Sequence, residues 1–372
     1  MVVSHFLKWI STARVPERAA AAASLARAFI NHQLPFEDRC AAEAALTLLL
    51  DDPSSKVRLA LADALSMSRH APPQVIAALA SDQPEVASIV ISRSPLITDA
   101  DLIDRVASGS AATQTLIARR PSLSMQVSAA LAEVGEAEAC SALLANSGAA
   151  IASISFRRLA ERHGDLPRLR EAMIADPRLP SDCRHMLLVK VGQALSRSQL
   201  VCALIGPARA EKVTRDACIK ASLTLIEGTR PDEHAALIEH LRLGGDLTAS
   251  FLIRVVAYGK VDFFGSAMVA LTSQSEQRVR SMLSSGSDGA LSALMRAAGL
   301  AASTHRVIVR ALRVWREVAK GRRVAGPQEV SWLMLDELGP EPQGELASLL
   351  KVIHLDVLRE NARTHALAIA AA

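Results

Sequence analysis

Aromatic rings are scarce in this sequence. Its 372 residues hold seven Phe, three Trp and one Tyr, although 50% of the residues are hydrophobic. A core must therefore be built from Ala, Leu, Ile and Val, and alanine in quantity favours closely packed helices. Between residues 37 and 250 the only Phe, Trp or Tyr is Phe156. An enzyme that extrudes a nucleic-acid base needs rings to stack it on, and this stretch does not supply them. Cysteine is thin as well: Cys40, Cys140, Cys183, Cys202 and Cys218 are scattered and never form a C-x-x-C pair. That excludes a disulfide framework or a zinc knuckle of paired thiolates, and reads as small buried thiols in a reducing cytoplasm.

Excess charge of one sign is also missing. The 42 basic against 38 acidic residues leave a formal net of +4, too little for a chain-wide attraction to nucleic acid, so any polyanion site must come from local clustering. No apolar run approaches the roughly 20 uninterrupted residues that cross a bilayer. The opening MVVSHFLKWISTARVPERAA breaks its apolar residues with His5, Lys8 and Arg14, unlike a cleaved leader. A cytoplasmic protein with no integral membrane segment is expected. G-x-G-x-x-G, G-x-x-x-x-G-K-[ST], G-x-S-x-G and H-E-x-x-H are absent, so no catalytic residue, cofactor or metal is expected.

What is present is repetition. ISRSPLITDADLIDRVASG (91–109) and IARRPSLSMQVSAALAEVG (117–135) align at an offset of 26, matching Ile91 with Ile117, Arg93 with Arg119 and Pro95 with Pro121. Apolar residues recur at spacings of three and four, which predicts an all-α chain. Helices are predicted at about 17–32, 37–50, 54–68, 73–81, 84–92, 98–108, 111–119, 122–133, 136–146 and 149–162. The dipeptides Asp52-Pro53, Gln83-Pro84, Ser94-Pro95, Arg120-Pro121, Leu166-Pro167 and Asp176-Pro177 punctuate them; proline suits a first helical turn and ends the helix before it. Units this short cannot close a core alone and must stack as an α-solenoid. Leu48, Val57, Leu61, Leu65, Ile91, Ile117 and Leu131 are expected between its layers.

Residues 46–66, LTLLLDDPSSKVRLALADALS, resemble one HEAT repeat: a helix ending in Leu48-Leu49-Leu50, the Asp52-Pro53 turn, then Val57-Arg58 and a small-apolar second helix. The shorter units that follow resemble leucine-rich-repeat variants as much as HEAT. With residues 240–300, the order of these pieces resembles a bacterial helical-repeat family labelled only as a domain of unknown function, over roughly residues 36–320. That resemblance implies a fold and no catalytic residues. The expected organisation is an N-terminal helix region (1–35), a HEAT-like repeat solenoid (36–200), a second helical domain (207–320) and C-terminal helices (326–372), with the domain boundary near 197–207. In the second half helices are predicted at about 208–227, 231–243, 247–257, 261–272, 276–284, 288–298 and 303–320, then two more past Gly326-Pro327 before the small-residue tail HALAIAAA, expected to fray.

Three polar patterns bear on function. In EHAALIEH, His234 and His240 are six apart and fall on different helix faces, so they read as two exposed helix residues rather than a zinc pair. Asp99, Asp101 and Asp104 read as first-turn acids behind a Thr98 N-cap. The recurring Arg58, Arg69, Arg93, Arg119 and Arg157 come about once per unit. They either tie adjacent repeats together or, as Arg58, Arg93, Arg119 and Arg157, form a ladder that binds an acidic partner. A second candidate is the basic helix THRVIVRALRVWREVAKGRR, where Arg306, Arg310, Arg313, Lys320, Arg322 and Arg323 oppose an apolar stripe and could meet polyanions. The reading favoured is a non-catalytic protein-protein interaction scaffold or regulator with protein partners. A HEAT-like nucleic-acid-binding protein or DNA glycosylase-type repair enzyme is the alternative, and a peripheral membrane-associated adaptor using residues 304–323 the second alternative.

Overall fold

The computed structural model describes residues 9–10, 12–31, 35–340 and 343–371, so His5 and Lys8 of the opening segment lie outside the described residues. Among the described residues every regular element is helical, apart from one isolated parallel bridge between Leu123 and Ala149. Contacts divide the chain into two compact units, one ending at Leu179 and the other beginning at Pro180. The helix Ser181–Ser196, assigned to the solenoid from sequence, packs against helices 207–228 and 234–243 of the second unit.

The first unit contains α1 (Val15–Ile30), α2 (Phe36–Leu48), α3 (Ser55–Leu65), α4 (Pro73–Leu79), α5 (Pro84–Arg93), α6 (Asp99–Ser108), α7 (Ala111–Ala118), α8 (Met125–Val134), α9 (Ala137–Ala145), α10 (Ser153–His163) and α11 (Pro167–Ala175). Prolines open α4, α5 and α11. Hydroxyls open α6, α7 and α8: Thr98, Ser110 and Ser124 each accept the amide of the residue three places on. Thr98 and Asp101 form a full capping box, because the Thr98 amide donates back to the Asp101 carboxylate at 3.2 Å. The acid-rich string thus starts a helix.

The helices alternate between two layers. One stacks α1, α3, α5, α7, α9 and α11 in chain order, and the other stacks α6, α8 and α10. Val57, Leu61, Leu65, Ile91, Ile117 and Leu131 are buried between them as expected, each 4% exposed or less. Leu48 is the exception, at 53% exposed. The chain tightens into a 3-10 turn at Leu49–Asp51, and this rotation turns Leu49 inward in its place. Cys140 and Cys183 are buried as small apolar residues, whereas Cys40 is exposed.

The second unit contains α12 (Ser181–Ser196), α13 (Gln199–Ile205), α14 (Pro207–Gly228), α15 (His234–Leu243), α16 (Ala249–Ala257), α17 (Val261–Thr272), α18 (Glu276–Ser285), α19 (Asp288–Ala297), α20 (Ala302–Ala319), α21 (Pro327–Asp336) and α22 (Glu345–Ala371). Its centre is α16, where every residue from Phe251 to Ala257 is buried. A helix apolar on all sides needs neighbours on all sides, and α17, α20, α21 and α22 supply them. The one charge on its buried stretch, Arg254, lies 3.6 Å from Asp356, which also accepts from Lys220 Nζ at 2.7 Å. His234 is buried rather than exposed: its ring meets the edge of Phe263 and its Nδ1 lies 3.3 Å from Ser266 Oγ. His240 stands elsewhere, against His185 at 5.2 Å between centroids.

Candidate arginine-lined binding groove

The last carbonyls of a helix have no partner inside it and must find one elsewhere. In the first unit long polar side chains tie neighbouring repeats together, and several of them meet this need. Near the start of the unit the reach is to a carboxylate: Arg18 holds Asp52 at 2.8 and 2.9 Å, and Arg58 holds Asp82 at 2.6 and 3.0 Å. Asp52 and Asp82 each also accept an amide of the turn they occupy. These hydrogen bonds to guanidinium hold both carboxyls below their ordinary range, and burial opposes the shift.

From α5 onward the reach is to the helix end itself. Arg120, just past α7, donates to the carbonyls of Ile91 and Ser94 at the end of α5. Asn146, just past α9, donates to Ala118 and Arg120 at 2.8 and 2.7 Å. Arg178, just past α11, reaches Ala149 at 2.8 Å and Leu144 at 3.5 Å. In the other layer Arg105 caps Ala80, Gln114 caps Val106, and Arg162 caps Ala132 and Gly135. Ser94, Arg120 and Asn146 are spaced by 26 residues. The same period joins Leu123 to the loop of the next repeat, where its amide donates to Gly148 and its carbonyl accepts from Ala150.

Against this frame the four candidate arginines separate. Arg58 is 9% exposed and serves the fold through Asp82 and the Asp52 carbonyl. Arg93 forms an exposed pair with Asp63 at 3.2 Å. Arg157 sits on α10, in the other layer from Arg58, Arg93 and Arg119, and is half-buried. Arg119 is exposed and, among the described residues, its guanidinium has no hydrogen-bond or ion-pair partner. Its chain neighbour Arg120 is buried, and that burial depresses the guanidinium below its usual value.

Arg119 lines a polar groove of about 570 Å³ running over α7, α9 and the start of α11, with Thr115, Glu138, Ser141, Ser147 and Arg168. Arg168, which sequence reasoning missed, is exposed and likewise has no side-chain partner among the described residues. Two guanidinium forks, two serines and a threonine face one recess, with Glu138 as its acid. Such forks match carboxylate and phosphate oxygens two at a time.

The basic helix of the second unit is arranged differently. Its apolar stripe is buried at Val307, Ile308, Ala311 and Leu312. Arg306 pairs with Glu337, Arg313 with Asp288, Arg322 with Glu317 and Arg323 with Glu329. Arg316, the basic residue that the polyanion reading passed over, caps Met282, Leu283 and Gly286 at 2.5–2.9 Å in the manner of the first unit. Arg310 is half-buried on the same helix. Lys320 lines a mainly apolar cavity of about 620 Å³ with Val261, Val279, Leu283 and Trp315. With its acids beside it, this face carries far less positive potential than its sequence implies.

Stacked short helices in two layers, several of their ends clamped by side chains of a neighbouring repeat, define a helical-repeat protein of the solenoid class. Within that class the chain belongs to the family described as uncharacterised proteins conserved in bacteria, DUF2336, matched over residues 86–344. The match begins after the HEAT-like unit of residues 46–66 and extends past the basic helix. No curated protein and no solved structure matches the chain.

Proposed function

We propose that the protein is a non-catalytic interaction scaffold whose first unit binds an acidic protein segment in the groove bearing Arg119 and Arg168. The observation that carries this reading is the division of labour at residues 119 and 120: the buried arginine is consumed by the fold while the exposed one is left unspent over a polar recess. A charged group that closes no helix end and pairs with no acid is available to a partner. Solenoids present such surfaces over several repeats at once. The glycosylase-type alternative draws no support, since Phe156 is 1% exposed and offers no platform for a base.

The test is the double variant Arg119→Glu, Arg168→Glu. Capture from extract of the native cell is compared with wild type, together with the thermal midpoint and the affinity for a labelled poly-glutamate peptide. The reading expects lost capture of a defined protein, weakened peptide binding and an unchanged midpoint. An identical set of captured proteins and identical peptide affinity in a normally stable variant defeats it.

A further inference from the structure

Helix α13 buries none of its residues. Leu200 and Leu204, one turn apart on it, are 69% and 73% exposed; Leu195 at the end of α12 is 49% exposed and Val213 on α14 is 50% exposed. Single apolar residues on a surface need no explanation, but a gathering of them between residues 195 and 213 does. The turn between α13 and α14 is fixed by Gly206 at φ +82°, where an L side chain is strained, followed by Pro207 in the first turn of α14.

The charge around this corner is mainly positive, its acid Glu211 being paired with Arg215. Residues 183–210 contain no Asp or Glu, and carry Arg184, Lys190, Arg197 and Arg209. Arg197 and Arg209 flank α13 on either side and make no ion pair among the described residues. This contrasts with the 304–323 helix, whose cations are mostly matched by acids.

We propose that the α12–α13–α14 corner is a docking surface for an anionic lipid membrane, with Leu200 and Leu204 entering the boundary between headgroups and acyl chains and Arg197 and Arg209 lying against the phosphates. An apolar tip flanked by unpaired cations, with its one acid neutralised by Arg215, is what such an interface attracts, through apolar burial and the negative surface potential together. A second copy packed across a two-fold axis would bring the same cations face to face. A protein partner would need acids placed to match; a bilayer supplies both phases without matched shape. The contact is superficial, since no helix among the described residues is long and apolar enough to cross a membrane. It is independent of the groove on the first unit.

Sedimentation of the full-length protein with vesicles tests this. Phosphatidylcholine vesicles are compared with phosphatidylcholine vesicles containing phosphatidylglycerol, at low and high salt. Wild type is expected to pellet with the anionic vesicles only and to be released by salt. Leu200→Asp, Leu204→Asp should lower the bound fraction at least about tenfold, and Arg197→Glu, Arg209→Glu should lower it at low salt. Both variants should keep the wild-type circular dichroism, because none of the four side chains is buried. The proposal is overturned by equal pelleting with neutral vesicles, by no pelleting with anionic ones, or by pelleting that neither variant changes. It is also overturned by a wild-type dimer at sedimentation equilibrium that the leucine variant converts to monomer, which would assign the surface to a second copy.

Discussion

Replacing Arg120 by alanine isolates the clamp, because its neighbour provides the control. The guanidinium reaches back to the Ile91 and Ser94 carbonyls from a position 9% exposed. Hydrogen bonds from a charged donor contribute about 1.5–3 kcal/mol each, and a buried carbonyl left without a donor costs about 1–3 kcal/mol. These terms overlap rather than add, and the two charged bonds together amount to about 3–5 kcal/mol. For a unit of this size, each kcal/mol moves the thermal midpoint by roughly 2–4 °C, so Arg120→Ala should lower it by roughly 6–20 °C. Arg119→Ala removes an exposed side chain with no described partner and should stay within about 0.5 kcal/mol of wild type. Arg120→Lys should recover only part of the loss, since one ammonium on a flexible stem does not fork across two carbonyls. Circular-dichroism melts and urea titrations of the three variants decide the matter. An Arg120→Ala protein within about 1 kcal/mol of wild type, or equal losses at both positions, would refute the clamp.

Two further predictions concern the second unit. Asp356 holds Lys220 and faces the buried Arg254, so Asp356→Ala should cost about 3–5 kcal/mol in urea unfolding by stranding a cation against the central helix. His185, buried against His240 and Ser222 Oγ, has its pKa lowered by burial to about 4. Its folded pKa lies below the unfolded value near 6.5, so the unfolded chain binds the extra proton between the two and stability falls as pH drops through that window, by roughly 3 kcal/mol. His185→Gln should remove that share of the slope, and an unchanged slope in urea titrations from neutral pH to pH about 4.5 would exclude His185 as its source.

Much of the frame was legible because helical periodicity and proline punctuation are local signals. Helices 261–272 and 111–118 appear where spacing and breakers put them. Helices α11, α12 and α13 were not delimited beforehand, and α13 shows why: its apolar residues face solvent, so no buried stripe marks it. The inward or outward sense of neighbouring residues was not legible either. Arg119 and Arg120 are the same residue type in one loop, and only the residue past the C-cap of α7 turns toward the preceding repeat. Leu48 and Leu49 exchange places through a 3-10 turn that no periodicity announces. The signal that could have found Arg120 was the period itself, because Ser94, Arg120 and Asn146 share the position before or beside the repeated turn.

The clamps change chemistry along the first unit, and this has an acid-dependent consequence. Along the stack that begins with α1, the first two are guanidinium–carboxylate pairs, Arg18 with Asp52 and Arg58 with Asp82; at the ends of α5 and α7 they are Arg120 and Asn146 on carbonyls, which do not titrate. The boundary falls close to residue 86, where the family match begins. Asp52 and Asp82 are held below their ordinary pKa by their arginines, with burial opposing. A carboxylate depressed in the folded state stabilises fully above its unfolded pKa, and that contribution is lost as pH falls through the folded value. Mild acid should therefore loosen α1 and α3 before it loosens α7 and α8. Hydrogen-exchange protection factors measured from pH about 5 down to about 3 should fall first at residues 15–30 and 55–65 and later at 111–134. Replacing Asp82 by Asn keeps a polar partner for Arg58 without the titration, and should flatten the pH dependence at α3 while lowering its protection at pH about 5. Uniform loss of protection across both segments would show that the carboxylate clamps do not govern the order of unfolding.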